Sequence, residues 1–215
     1  MSNPFITHGI EHLSPSTCNL FQASPAMFVL EKIMKRRQPV GCAAYRGSSV
    51  ESGISHGLTT GSDDDECVQV AQLEFAQRAA LSADPAREKE AAALDGMVRQ
   101  GLAELRGYGR PSALQERVEH KVEGLDVPII GFFDFEWSDH GILTDLKTTH
   151  AIPSKVKSQH ARQVALYAAC RGGNTDVRIS YVSTKKSATY SVENIREHLA
   201  ALERVAFTIQ RFLAV

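Results

Sequence analysis

The sequence predicts an α/β fold of the mixed, α+β kind, in which a helical first half leads into a mixed sheet packed with helices. Three observations predict it. Up to about residue 110 the apolar residues recur at helical spacing, and Ser, Asp and Pro stand where helices start. At Gly107-Tyr108-Gly109-Arg110-Pro111 the period changes. Beyond it the chain reads β-β-β-α-β-β-α, the pattern of helices packed on a mixed sheet.

Each element has a local reason. Ser14-Pro15-Ser16 offers a helix start, and Ser24-Pro25 another before AMFVLEKIMKRR, which ends at a break over Gln38-Pro39-Val40-Gly41. AAYRGSSVESGISHGL reads as a helix despite its glycines. Ser62-Asp63-Asp64-Asp65 caps VQVAQLEFAQRAAL, with acids at the positive end of the helix dipole. Asp84-Pro85 caps one long helix over 84–108, with Leu94, Met97, Val98, Leu102 and Leu105 at helical spacing. LQERVEHKVEGL, VPIIGFFDFEW and GILTDLKTT then read as strands. Ser138-Asp139-His140 followed by Gly141 marks a hairpin turn between the last two. KVKSQHARQVALYAAC reads as a helix stopped by Gly172-Gly173-Asn174. VRISYVST and SATYSV are short strands, and a final helix runs from about residue 193. With no repeat, low-complexity tract or linker in its 215 residues, the chain is expected to form a single domain over 1–215.

Composition narrows the function classes. With 43% hydrophobic residues the chain can fill a sizeable core without staples. A formal net charge of -1 excludes a histone-like, strongly basic binder, yet leaves room for a local basic patch. No apolar run reaches the roughly 20 residues of a membrane helix. The opening MSNPFITHGIEHLSPS lacks a signal-peptide pattern, so no membrane association and a cytoplasmic location are expected. Cys18, Cys42, Cys67 and Cys170 are scattered without a C-x-x-C pair, which speaks against a zinc ribbon and for reduced, mostly buried thiols.

The hairpin carries the chemistry. With its turn at Asp139-His140, Asp134 lies directly opposite Asp145, their Cβ atoms roughly 4.5–5.5 Å apart on one face. Lys147, two residues beyond Asp145, shares that face. The register depends on the loop length. Two carboxylates so close raise each other's pKa unless a cation sits between them. Oxygen-only ligands suit Mg²⁺ or Mn²⁺ rather than zinc. Such an ion polarises a phosphoryl oxygen and lowers the pKa of bound water, and Lys147 adds a positive donor near developing charge. The reaction that needs these parts is phosphodiester hydrolysis. Taken singly, each Asp reads as a solvated strand residue.

GFFDFEW and GILTDLKTT, followed by QHARQVALYAA, resemble the PD-(D/E)XK nuclease superfamily, specifically its RecB-like branch. That branch includes CRISPR-associated RecB-like exonucleases and is related to the phage lambda exonuclease type. HLSPSTCNLFQASPAMFVLEKI resembles the branch's N-terminal helix. The resemblance spans most of the chain, with 60–110 contributing little. It implies a restriction-endonuclease-like core and a site built from Asp134, from Asp145 with Lys147, and from Gln163 with Tyr167, the last two bracing the site and contacting DNA. It also implies an acidic residue or His on an early helix after a Gly. Glu51 stands four residues after Gly47, where RecB-like members often carry His. His56 is a second candidate, about 140° further around the helix. The backbone carbonyl of Leu146 is implied as a further ligand of Mg²⁺ or Mn²⁺. Iron–sulfur members carry three late cysteines. Here none follows Cys170, so no iron–sulfur cluster is expected.

DNA contacts must then come from local charge. Lys155, Lys157, His160 and Arg162 lie on or near the helix after the hairpin, and Lys185 and Lys186 at a strand end. Lys35, Arg36 and Arg37 close an early helix. No G-x-x-x-x-G-K-[ST] is present, so any helicase or recombination motor is a separate partner. The size is compatible with a monomer or a toroidal homo-oligomer. The reading is a divalent-metal-dependent deoxyribonuclease. The resemblance favours an exonuclease of recombination, repair or phage DNA processing, while exo- and endonuclease both stay open. Two rivals are a catalytically silent nuclease-like DNA-binding protein and a metal phosphohydrolase acting on nucleotides. The second expects a phosphate-cradling glycine loop that is not seen.

Overall fold

The computed structural model describes residues 3–172 and 175–214. The Gly173-Asn174 part of the expected helix stop lies outside the described residues. A short helix α1 (Pro4–Thr7) precedes α2 (Pro15–Ala23) and α3 (Pro25–Phe28). Ser14 Oγ accepts from Thr17 N at 3.1 Å and Ser24 Oγ from Met27 N at 3.3 Å, each with Pro at the first helical position. The expected AMFVLEKIMKRR helix is shorter than read. After α3 it widens into a π-helical turn over Val29–Ile33, and Lys35 turns left-handed at φ 56 while its ammonium donates to Gly9 O at 3.1 Å.

α4 (Cys42–Thr60) and α5 (Asp64–Arg78) follow as expected. Asp63 caps α5 by accepting from Glu66 N at 2.9 Å, and Asp64 pairs with Arg106 at 2.5 Å. The long helix expected over 84–108 is two helices, α6 (Arg87–Ala92) and α7 (Leu94–Leu105). The split lets α6 turn Glu90 inward onto Arg46, while α7 buries Leu94, Met97, Val98, Leu102 and Leu105. Asp84 does cap the turn, but it also accepts from Cys42 N at 2.7 Å and so ties it to α4.

The sheet has the order β1 (Ala113–His120), β2 (Ile129–Trp137), β3 (Ile142–Thr148), β4 (Asp176–Val182), β5 (Ser187–Ser191). All neighbours are antiparallel except β3 and β4, which are parallel and joined through α8 (Ser158–Arg171). α8 begins three residues later than expected because Lys157 is extended and its N–H donates to Tyr181 Oη at 3.3 Å. The chain closes with α9 (Ile195–Leu213).

Successive strand residues point to opposite faces. Leu143, Val177, Ile179 and Tyr181 join a core with α2, α8 and α9. Ile142, Leu146 and Val182 join a second core with α4, α5 and α7. The sheet thus lies between two helical layers, as in a restriction-endonuclease-like α/β fold. No helix among the described residues is long and apolar enough to cross a membrane.

Candidate active site

The site forms where β2 and β3 part. Their ladder pairs Trp137 with Ile142, Glu136 with Leu143 and Phe135 with Thr144. The loop between them is four residues, a 3₁₀ turn over Ser138–His140 closed by Gly141 at φ 62, a backbone conformation glycine adopts without strain. This loop has the same centre as the expected Asp139-His140 turn, so Asp134 still comes opposite Asp145. The ladder stops there. Leu146 N donates instead to Asp134 Oδ2 at 2.7 Å, so a carboxylate takes the place of a main-chain carbonyl.

Asp145 is fully buried and held from two sides. Gln163 Nε2 donates to Asp145 Oδ1 at 3.0 Å, and Lys147 Nζ lies 2.5 Å from Oδ2. Gln163 Nε2 is also 2.6 Å from Tyr167 Oη, and that hydroxyl donates to Phe132 O at 2.6 Å. α8 therefore links the Asp145 carboxylate to the main chain of β2. This linkage requires Gly131, since a Cβ there would sit 2.7 Å from the Tyr167 ring. Glu51 enters from α4, half-buried between the core residues Val50 and Ile54.

Burial pushes the Glu51 carboxyl up, Asp145 adds to the rise and Lys147 opposes it, leaving it raised from 4.5 to about 7. Asp134 is raised well above the usual carboxylate range by burial first, then by Asp145 and Glu51, against the pull of Lys147 and the Leu146 N–H. Asp145 is raised by burial, with Lys147 opposing. Burial disfavours the Lys147 ammonium, but Asp145, Asp134 and Glu51 outweigh it and hold its pKa up. One lysine thus serves three crowded carboxylates.

A hard cation fits this donor set. Asp145 Oδ2 is buried and, among the described residues, is met by the Lys147 ammonium alone. Glu51, Asp134 and Asp145 offer oxygen alone, the donor that Mg²⁺ and Mn²⁺ take. Among the described residues no three acidic, His or Cys side chains are already drawn to ligand spacing. The ammonium of Lys147 occupies the charge centre. Leu146, implied as a carbonyl ligand, lies between Asp145 and Lys147 with its side chain in the second core.

His56 is not brought to this group. Its Nε2 lies 2.8 Å from Glu66 Oε1 and 3.2 Å from Ser62 Oγ, where it ties α4 to the start of α5. Two of the expected phosphate contacts also change character. His160 Nδ1 is 2.7 Å from Tyr181 Oη. Burial, with Lys147 and Lys157 nearby, lowers the ring to about 4, so it is neutral at pH 7. Arg162 is turned onto Asn19, which accepts from its Nη2 at 2.6 Å and its Nε at 3.2 Å. Lys155 and Lys157 are exposed between β3 and α8. Lys185 and Lys186 are exposed in the β4–β5 turn, at the sheet end where Lys147 pairs with Tyr181. Lys35, Arg36 and Arg37 are exposed after the π-helical turn.

Two features had no expectation attached. Arg46 and Glu90 form a buried ion pair. His150 Nε2 lies 3.1 Å from Glu90 Oε1, and Arg46 Nη2 donates to Thr148 Oγ1 at 3.2 Å. This fastens α4, the helix of Glu51, to the end of β3. Burial raises the Glu90 carboxyl, but His150 and Arg46 outweigh it and hold its pKa down. The second feature is Gln115, opposite Asp134 on β1, at φ 50. The left-handed region costs a side chain other than glycine roughly 1–2 kcal/mol. A cleft of about 370 Å³ opens beside Gln163 and Tyr167, walled by His12, Ser14, Ser16 and the half-exposed Phe132.

A five-stranded mixed sheet between helical layers, with an acidic hairpin and a lysine at its opening, is the architecture of a restriction-endonuclease-like domain. A sequence profile of the PD-(D/E)XK nuclease superfamily matches residues 12–214, nearly the whole chain, and the chain belongs to that superfamily. It is therefore of the nuclease class of hydrolases, whose members generally use divalent metal ions. No curated protein matches the chain.

Proposed function

We propose that this nuclease is a divalent-metal-dependent deoxyribonuclease whose catalytic groups are Glu51, Asp134, Asp145, Lys147, Gln163 and Tyr167. The observation that carries the reading is the opposition of Asp134 and Asp145 at the parting of β2 and β3, with Lys147 Nζ 2.5 Å from Asp145. Glu51, Asp134 and Asp145, with the Leu146 carbonyl, would hold Mg²⁺ or Mn²⁺. Such an ion supplies Lewis acidity to the scissile phosphate and acidifies the attacking water.

The chain's own groups do the rest. The Asp145 carboxylate is fixed through Oδ1 by Gln163, so its other oxygen keeps one direction. Lys147 would orient the water and offset the charge that develops on the phosphate. Tyr167 holds Gln163 in place against β2. Lys155, Lys157, Lys185 and Lys186 supply phosphate contacts around this opening. Motif resemblance to the RecB-like branch supports exonuclease action in recombination, repair or phage DNA processing.

The test incubates the protein with end-labelled linear and circular DNA, with Mn²⁺ or EDTA, beside Asp145→Ala and Lys147→Ala. Metal-dependent degradation of linear DNA, lost in both variants, is expected. Cutting of circular DNA would replace exonuclease with endonuclease. Retention of DNA without cleavage under any metal would overturn the enzyme reading.

A further inference from the structure

β1 and β2 pair Leu114 with Phe135 and Glu116 with Phe133, and the position between, Gln115 opposite Asp134, is left out of the ladder. Residues two apart in a regular strand share a face. Here they do not. Phe133 lies in the core of α8, whereas Phe135 lies in the core of α4 and α7. On β1, Glu116 pairs with Arg171 of α8 at 2.7 Å, whereas Leu114 packs on the other core. Both strands change face at the same step. Gln115, at φ 50, is where β1 does so. The change leaves the Asp134 side chain at the opening between β2 and β3, where Oδ2 accepts from Leu146 N. The other oxygen, Oδ1, has one hydrogen-bond donor among the described residues, the exposed Gln115 carboxamide, with Nε2 at 3.4 Å.

We propose that Gln115 is a positioning residue for Asp134: its left-handed backbone turns the strand pair over, and its carboxamide sets the direction of Oδ1, the carboxylate oxygen left for a divalent ion. Asparagine or glycine would adopt this conformation with less strain, but glycine has no carboxamide to offer Oδ1 and asparagine's is one methylene shorter. The ion-binding half of this inference rests on the nuclease reading. The hold on Asp134 does not.

The experiment compares wild type with Gln115→Asn and Gln115→Gly, both compatible with positive φ. Four quantities are read: exchange of the Leu146 amide in EDTA by NMR, Mn²⁺ affinity by electron paramagnetic resonance, and kcat and KM on linear DNA. A long hydrogen bond to a charged group is worth up to about tenfold. Both variants should keep or raise the melting temperature. Exchange at Leu146 should quicken about three- to tenfold, with the Val118 and His120 amides unchanged. Mn²⁺ affinity and kcat should fall by a similar factor, with KM within twofold. Unchanged exchange and affinity would overturn the proposal, as would a rise in KM alone, which would make Gln115 a DNA contact. If wild type itself binds no Mn²⁺ and cuts nothing, the nuclease reading falls, and the Leu146 exchange alone decides whether Gln115 holds Asp134.

Discussion

Replacing Glu51 by glutamine removes one of three negative charges gathered at Lys147, and the structure sets the size of the effect. Burial and the neighbouring Asp145 raise this carboxyl from 4.5 to about 7. At about 1.4 kcal/mol for each tenfold in proton affinity, the ionised form carries a native-state penalty of roughly 3 kcal/mol. The folded protein holds this proton more tightly than the unfolded chain does. Its contribution to stability is therefore complete below about 4.5 and is lost as the pH rises through about 7. Asp134 and Asp145 are shifted in the same direction and deepen the loss. In EDTA at pH 8, Glu51→Gln should stabilise the protein by about 1–3 kcal/mol, the lower figure allowing for the half-exposed side chain. For a chain of this length each kcal/mol moves the melting temperature by about 2–4 °C. At pH 4, where Glu51 is protonated in the unfolded chain as well as in the folded protein, the two proteins should melt together. Mn²⁺ at pH 8 should raise wild type more than the variant. The assay is calorimetry at both pH values with and without Mn²⁺. A variant less stable at pH 8, or an equal gain at both pH values, would show that the buried Glu51 charge is not what destabilises wild type.

Other substitutions probe the supports. Arg46→Ala leaves Glu90 buried without its guanidinium and should cost about 3–5 kcal/mol in urea unfolding at pH 7, with Arg46→Lys recovering part of it. Gly131→Ala puts a methyl 2.7 Å from the Tyr167 ring; it should cost about 1–3 kcal/mol and lower kcat by displacing Gln163, which a crystal structure of the variant would display as a shifted α8 side chain. Lys147→Met removes the shared cation from the fully buried Asp145. Without metal it should destabilise by about 3–5 kcal/mol at pH 8 and by much less at pH 5, read by denaturant titration.

The hairpin geometry was legible because two- and four-residue loops centred on Asp139-His140 impose the same opposition, so the error in loop length left Asp134 and Asp145 facing. Gln163 and Tyr167 entered through the resemblance to the family motif; helical spacing alone says only that both lie on one side of a helix. The change of face at Gln115 was not legible. Glutamine is no turn residue, and the strain that holds it arises only when β1 meets β2. The Arg46–Glu90–His150 linkage joins residues up to 104 positions apart, beyond any local pattern. His160 and Arg162 read as surface cations because their partners, Tyr181 and Asn19, come from a distant strand and helix. The split of the 84–108 helix follows from the same cause, since Glu90 has its reason to turn inward only once α4 presents Arg46.

The most direct test of the central claim is an anomalous difference map from crystals soaked in Mn²⁺. A peak is expected within direct coordination distance of oxygens of Asp134 and Asp145, with Lys147 Nζ moved off Asp145 Oδ2. A map empty at that position in protein that cleaves DNA with Mn²⁺, or a peak bound elsewhere, would contradict that claim.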